Sequence, residues 1–395
     1  MIELGYGARP LPLRLPEGLE AEVLWPPAPP PVPDLRRALA EALAQPIGTR
    51  PLREVATART RAVVIVPDAS RDLPRAELFE AVRAELGALP DDQVTLAVAN
   101  GTRRPGPVER LGLPAGLLRR HRVVNHDARD EAQLVEVGRT SRGTRLRVGR
   151  CLAEADLIVT TGRIGPHPFA GYGGGTTGIF PGLGAEADVG QHRLLQADPA
   201  SALGRADLNP CREDLEEAAR RLGRDTFMLD VVAAGGVITG AVAGDIVLAH
   251  RAGIRRLKRW VEVRAARAPV VVVSAPLPVT ASLERATRLL APAGLLLQDG
   301  GVVILAAECR EGTGPLEAVG EAAVARAAGR YLPGRHTLLL VSGLDEAAVR
   351  PTFARPAPSL DAAVAEAARL VGGRARVVVM PDAGDLVPIP VPAAR

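Results

Sequence analysis

Short apolar runs alternate along this chain with longer stretches in which apolar positions recur every three or four residues, a pattern of buried strands interleaved with amphipathic helices. In the first part, residues 62–66, 94–99 and 157–160 predict strands. Helices are expected over 34–44, capped by Asp34, and over 75–86 and 213–222. A second series follows the charged stretch 255–267: strands at 270–274, 301–306, 337–341 and 376–380, with helices at 282–290, 315–328 and 360–370. The interleaving predicts an α/β fold made of two α/β domains. The expected boundary is a helical connector near residue 258, giving domains 1–258 and 259–385 with an active-site cleft between them. The proline-rich stretch 26–33 is expected to be an extended surface connection inside the first domain, and the tail 386–395, with its Val387-Pro-Ile-Pro-Val-Pro run, to pack back on that domain.

A chain of 395 residues can bury two cores, and its 47% hydrophobic and 24% charged content is that of a globular protein. The longest apolar runs, such as 269–273, are far too short to span a bilayer, so no membrane partner is expected. The net charge of +4 comes from scattered basic residues, and aromatics make up only 3%, which leaves few stacking platforms and excludes nucleic acid as the main partner. Met1-Ile-Glu-Leu lacks a signal-peptide pattern, and Cys151, Cys211 and Cys309 are widely spaced, so a reducing cytoplasm is expected. Lys258 is the sole lysine and sits in a basic helical segment. Because arginine does not act as a nucleophile or base near neutral pH, lysine-type covalent chemistry is excluded elsewhere in the chain.

The most informative segment follows the strand at 157–160. His167 and His192, two of only six histidines, bracket the turn Gly173-Gly174-Gly175-Thr176-Thr177-Gly178. This turn satisfies G-x-G-x-x-G, with Asp198 downstream, but Pro166, His167 and Pro168 separate it from the strand, which argues against a dinucleotide fingerprint. The bare amides of such a turn can cradle a phosphate; a tight loop needing positive φ explains the glycines equally well. Upstream, Asp68 and Arg71 fall just past a strand's carboxyl end, where open α/β sheets bind ligands. There Arg71 can fork onto a carboxylate that Asp68 orients; equally, Asp68 can cap a helix beside a surface Arg71. Asn100-Gly-Thr-Arg103-Arg104 and Asn125-His126-Asp127 repeat the placement, so three loops are expected to converge.

Several motifs in order, Asp68-x-x-Arg71, Gly101-Thr-x-Arg104, His126-Asp127, Pro166-His167-x-Phe-Ala-Gly, Phe180-Pro-Gly182, His192, Asn209-Pro210 and Glu311-Gly-x-Gly314, resemble the nickel-pincer nucleotide-dependent lactate racemase family of 2-hydroxyacid racemases and epimerases. The likeness runs along almost the whole chain. It implies an isomerase in which substrate hydride passes to and from a pyridinium-3,5-bisthiocarboxylic acid mononucleotide carrying nickel. His192 matches the protein ligand of the nickel, a role that suits imidazole and nickel(II). His167 matches a base for the hydroxyl proton, Asp68 and Arg71 lie by the substrate carboxylate, and Gly173, Gly174, Gly175, Thr176 and Thr177 lie along the cofactor.

The departures shape the expectation. Thr177 occupies the place of the lysine that tethers the cofactor in other members, so binding is expected to be noncovalent. Arg103 replaces the second histidine base and stays protonated, leaving His126, Asp127 or a water to substitute, or a substrate to be presented differently. Arg285 and Arg288 stand where the family helix carries Gln and Lys. With Arg103 and Arg104 they form an expected substrate-binding set favouring a hydroxyacid with a second anionic group. The alternatives are a catalytically lapsed cofactor-binding or partner protein and an enzyme that uses the same pocket without nickel.

Overall fold

The computed structural model describes residues 2–57, 59–70, 72–314, 328–352 and 354–392. Arg71 and nearly all of the helix expected over 315–328 lie outside the described residues. The chain forms two α/β units. One contains Pro29–Arg259; the other joins Met1–Ala28 to Trp260–Arg395.

In the first unit, a six-stranded sheet runs in the order Val237–Gly244, Asp225–Ala234, Leu157–Ile164, Ala62–Pro67, Val94–Ala99 and Arg122–Asn125. Every pairing is parallel except that of the hairpin strand Val237–Gly244. Strands such as Ala62–Pro67 read as continuous apolar runs because both sheet faces are covered. Alternation along the strand divides the work. Val64, Val66 and Val159 pack with Leu39 and Leu43 of helix Leu35–Ala44 and with Leu78, Phe79 and Val82 of helix Arg75–Glu85. Ile65, Thr160 and Ile164 instead face the glycine turn, where a Cβ on Gly178 or Gly174 would meet them. Asp34 caps its helix by accepting from Arg37 N–H, as the sequence predicts.

The second unit holds a six-stranded parallel sheet in the order Arg355–Pro356, His336–Val341, Leu297–Ala306, Ala268–Val273, Ala375–Met380 and Leu19–Val23. Val271, Val273, Val303 and Leu305 pack on Leu290 and Leu296 of helix Leu290–Leu296. On the other face Val272, Ile304 and Val379 pack on Leu360, Val364 and Ala367 of helix Leu360–Leu370.

Two expectations about organisation change. Residues before Ala28 group with the C-terminal unit because Leu19–Val23 pairs with Ala375–Met380, so the proline-rich stretch joins the units instead of running inside one. The tail strand Val387–Val391 pairs in parallel with Glu262–Ala266 of its own unit, not with the first, and so covers that strand's edge. The helical connector is Leu248–Val261, with Lys258 exposed on it. No helix among the described residues is long and apolar enough to cross a membrane, and the three cysteines are buried and form no disulfide among the described residues.

Candidate active site

The site is built at the carboxyl ends of the first unit's parallel strands. After Leu157–Ile164 the chain makes a small hairpin, Pro166–His167 against Gly171–Tyr172, before it reaches the glycines. That hairpin is why the G-x-G-x-x-G run is not a dinucleotide turn. Asp198 caps a local turn through Ala200 N–H. The glycines then enter the short 3-10 turn Gly175–Gly178, with Gly174 at φ 91° and Gly175 at φ 59°.

The conformation is imposed from beneath. Asp230, fully buried in strand Asp225–Ala234, accepts the Gly175 N–H at 2.8 Å, and His250 Nε2 donates to Gly173 O at 2.8 Å. A Cβ on Gly174 would lie 2.6 Å from Asp230 Oδ2, so a side chain there is excluded. Gly173 N–H donates to Gly165 O and Thr177 N–H to Gly174 O. With Gly175, three loop amides are thus turned onto the protein itself, which narrows the expected phosphate cradle. Arg212 completes the support, with its guanidinium bonded to Thr176 Oγ1, Tyr172 O and Ala170 O. Burial pushes the Asp230 carboxyl up to about 7, against the pull of Gly175 N–H and Arg212, and it drives the Arg212 guanidinium down to about 10. Burial also holds His250 well below its ordinary value, so this ring is neutral.

His192 lies near the end of helix Glu186–Arg193, 2% exposed, with its ring edge-to-face on Phe180. Its Nδ1 donates to Asp214 Oδ2 at 2.7 Å, and the same oxygen accepts from Thr144 Oγ1 at 2.9 Å. Burial opposes ionisation of Asp214, but the hydrogen bond from His192, with the nearby hydroxyls of Thr140 and Thr144, holds its carboxyl below the usual range. The proton on Nδ1 leaves Nε2 with its lone pair, and that buried atom has no hydrogen-bond partner. A carboxylate that fixes the tautomer and leaves the other nitrogen bare is the arrangement of a metal-ligating histidine. No group of three or more His, Cys, Asp or Glu that could hold a metal occurs among the described residues.

His167 is half-buried. Its Nδ1 accepts from Ala170 N–H at 3.2 Å and its ring meets Phe169 edge-on, so in the neutral ring the proton sits on Nε2.

The three expected loops do meet. Asp68 is buried; Oδ1 accepts from Ser70 Oγ at 2.8 Å and Oδ2 pairs with Arg103 Nη1 at 3.2 Å. Arg75 anchors this loop through Pro67 O and Asp68 O. Asn100 Nδ2 donates to Asn125 Oδ1 at 2.8 Å and to His126 O at 2.7 Å. Arg193, next to His192, donates to Thr102 Oγ1, which ties the two halves of the site together. His126 does not take the place of the missing base: it is fully buried, donates from Nε2 to Gly184 O, and burial lowers its pKa. Arg285 and Arg288 belong to the other unit, where Arg285 lies 3.6 Å from Glu311.

Asp214, Thr144, Asp230, Arg212 and His250 were not singled out from the sequence for any role in the site. Each acts on a partner far along the chain, and none sits in a recognisable motif.

Comparison with known proteins bears on this geometry. The sequence profile of the lactate racemase N-terminal domain matches residues 6–204, half of the chain. Lactate racemase of Thermoanaerobacterium thermosaccharolyticum is 27% identical over 279 residues, covering 69% of this chain and 66% of the relative, just under two thirds of its length. Lactate racemase of Lactiplantibacillus plantarum is 25% identical over 379 residues, covering 88% of this chain and 89% of the relative. The solved lactate racemase apoprotein from T. thermosaccharolyticum superimposes with a TM-score of 0.85 at 24% identity, covering 98% of this chain and 99% of that one.

Proposed function

This chain belongs to the lactate racemase family, and we propose that it is a racemase or epimerase of a 2-hydroxyacid that uses a noncovalently bound nickel-pincer nucleotide. The observation that carries the proposal is the His192 Nε2 lone pair, buried, unpartnered and oriented through Nδ1 by Asp214. The residues present fit such a group: one buried imidazole from the chain with a bare Nε2, beside a glycine turn held in place by close packing on Asp230, His250 and Ile65. When bound, the group supplies reversible hydride acceptance at the substrate's hydroxyl-bearing carbon. His192 would hold it, and Gly173 to Thr177 would lie along it. Thr177 donates its hydroxyl to Gly174 O at 3.2 Å and has no amine with which to form a covalent link.

In this reading Asp68 lies near the substrate carboxylate. His167 meets the substrate hydroxyl through Nε2–H as a donor; to take up the hydroxyl proton it presents Nδ1, which requires a ring turn that releases Ala170 N–H. The reading is tested by chiral chromatography of lactate and longer 2-hydroxyacids incubated with protein carrying one nickel nucleotide. Equilibration of the enantiomers is expected, and its loss in His192→Ala is required.

A second reading, a chain that holds the group without turnover, is favoured by the Arg103–Asp68 ion pair, which puts a permanent cation at the place of the second base. Failure of fully loaded protein to equilibrate any acid tested would select it.

A further inference from the structure

Beside Asp68, at the carboxyl ends of strands Ala62–Pro67, Val94–Ala99 and Arg122–Asn125, lies a cavity of about 160 Å³. Most of its polar lining is already engaged. Asn100 and Asn125 bond to one another, and Asn125 also donates to Gly106 O. Ser70 is bonded to Asp68, and Arg103, adjacent in sequence, is paired with the same carboxylate. Arg104 and Arg110 differ: both line the cavity, and among the described residues neither guanidinium has a hydrogen bond or an ion pair. Other arginines nearby are matched, Arg129 by Glu186 and Arg147 by Asp188.

Two uncompensated cations on one concave surface raise the local concentration of anions, and a guanidinium fork matches the oxygens of a carboxylate or a phosphate. At roughly 30 Å³ per water-sized volume, the cavity accommodates a short anionic branch and is too small for a nucleotide.

We propose that Arg104 and Arg110 receive a second anionic group of the substrate, so that the preferred 2-hydroxyacid carries a distal carboxylate or phosphate. The proposal rests on the racemase reading for the hydroxyacid itself. It replaces the wider arginine set suggested by the sequence, since Arg103 is committed to Asp68 and Arg285 lies by Glu311.

The test is calorimetric titration of the full chain, with and without the nickel nucleotide. The probes are lactate, malate and 3-phosphoglycerate, which share a 2-hydroxyacid end and differ in the distal group. Because both arginines are exposed, each contact is worth up to about 1 kcal/mol, or about fivefold in affinity. At least one dianion is expected to bind about fivefold or more tighter than lactate, and Arg104→Gln and Arg110→Gln each to remove most of that advantage. Arg119→Gln, an arginine outside the cavity, is expected to keep it. Malate against 3-phosphoglycerate distinguishes carboxylate from phosphate. Equal affinity for all three acids, no measurable binding of any, or a dianion preference that survives both Gln substitutions overturns the proposal. If the racemase reading alone fails, arginine-dependent dianion binding persists with no racemisation of any of the three. If the proposal alone fails, racemisation occurs without dianion preference.

Discussion

Replacing Asp214 by Asn perturbs the candidate metal ligand with little change of shape. Asp214 is fully buried, and its Oδ2 accepts both His192 Nδ1–H and Thr144 Oγ1–H, while Oδ1 has no partner. An amide oxygen can take the Oδ2 position and keep both bonds, so what disappears is the charge. A charge-assisted hydrogen bond is roughly twice as strong as a neutral one, which puts the loss at about 1–2 kcal/mol. That corresponds to about 5- to 30-fold weaker binding of the nickel nucleotide, in line with the ~10–100-fold typical when a partner of a ligating histidine is changed. The assay is titration of apoprotein with the nickel nucleotide, run beside urea denaturation of the same apoproteins. Asp214→Asn should lower affinity by that factor and leave the apoprotein folded. An affinity within twofold of wild type would refute the claim that Asp214 orients His192 for a metal. Asp214→Ala, which also strands Thr144, should fall further.

Other consequences follow from the support beneath the glycine turn. Asp230 has a folded-state pKa raised to about 7 from 3.8, so the folded protein keeps a proton that the unfolded chain releases. Its contribution is therefore fully present below 3.8 and is lost as pH rises to about 7, on the order of 4 kcal/mol across the window. Asp230→Asn should flatten the pH dependence of the urea midpoint between those limits; an unchanged slope would contradict the shift. Gly174→Ala places a Cβ 2.6 Å from Asp230 Oδ2 and 3.0 Å from Arg163 O at φ 91°, and should cost about 1–3 kcal/mol in denaturant unfolding. Stability equal to wild type would show that the turn is not held as described.

The strands were legible because burial on both faces writes itself as runs such as Val63-Val-Ile-Val66 and Val270-Val-Val-Val273. Leu19–Val23 escaped notice because an edge strand half open to solvent alternates Leu-Glu-Ala-Glu-Val, and its partner lies at the other end of the chain. The hairpin Asp225–Ala234 with Val237–Gly244 did carry a signal, Gly235-Gly236, both at positive φ. In the site, His192 and His167 stood out as a rare residue type, and Asp68 and the glycines by their place in motifs. Asp214 and Asp230 did not, since aspartates are common and their partners, His192 and Gly175, are 22 and 55 residues away. Arginine pairing was likewise invisible: Arg103 with Asp68 and the unpaired Arg104 look alike in sequence.

The most direct measurement is native and denaturing mass spectrometry, with nickel quantification, of protein co-produced with the enzymes that make the nickel nucleotide. The expected result is one nickel-bearing adduct per chain in the native spectrum, absent from the denatured spectrum and absent natively from His192→Ala. A wild-type chain without the adduct, an adduct that survives denaturation, or one retained in His192→Ala would contradict noncovalent binding through His192.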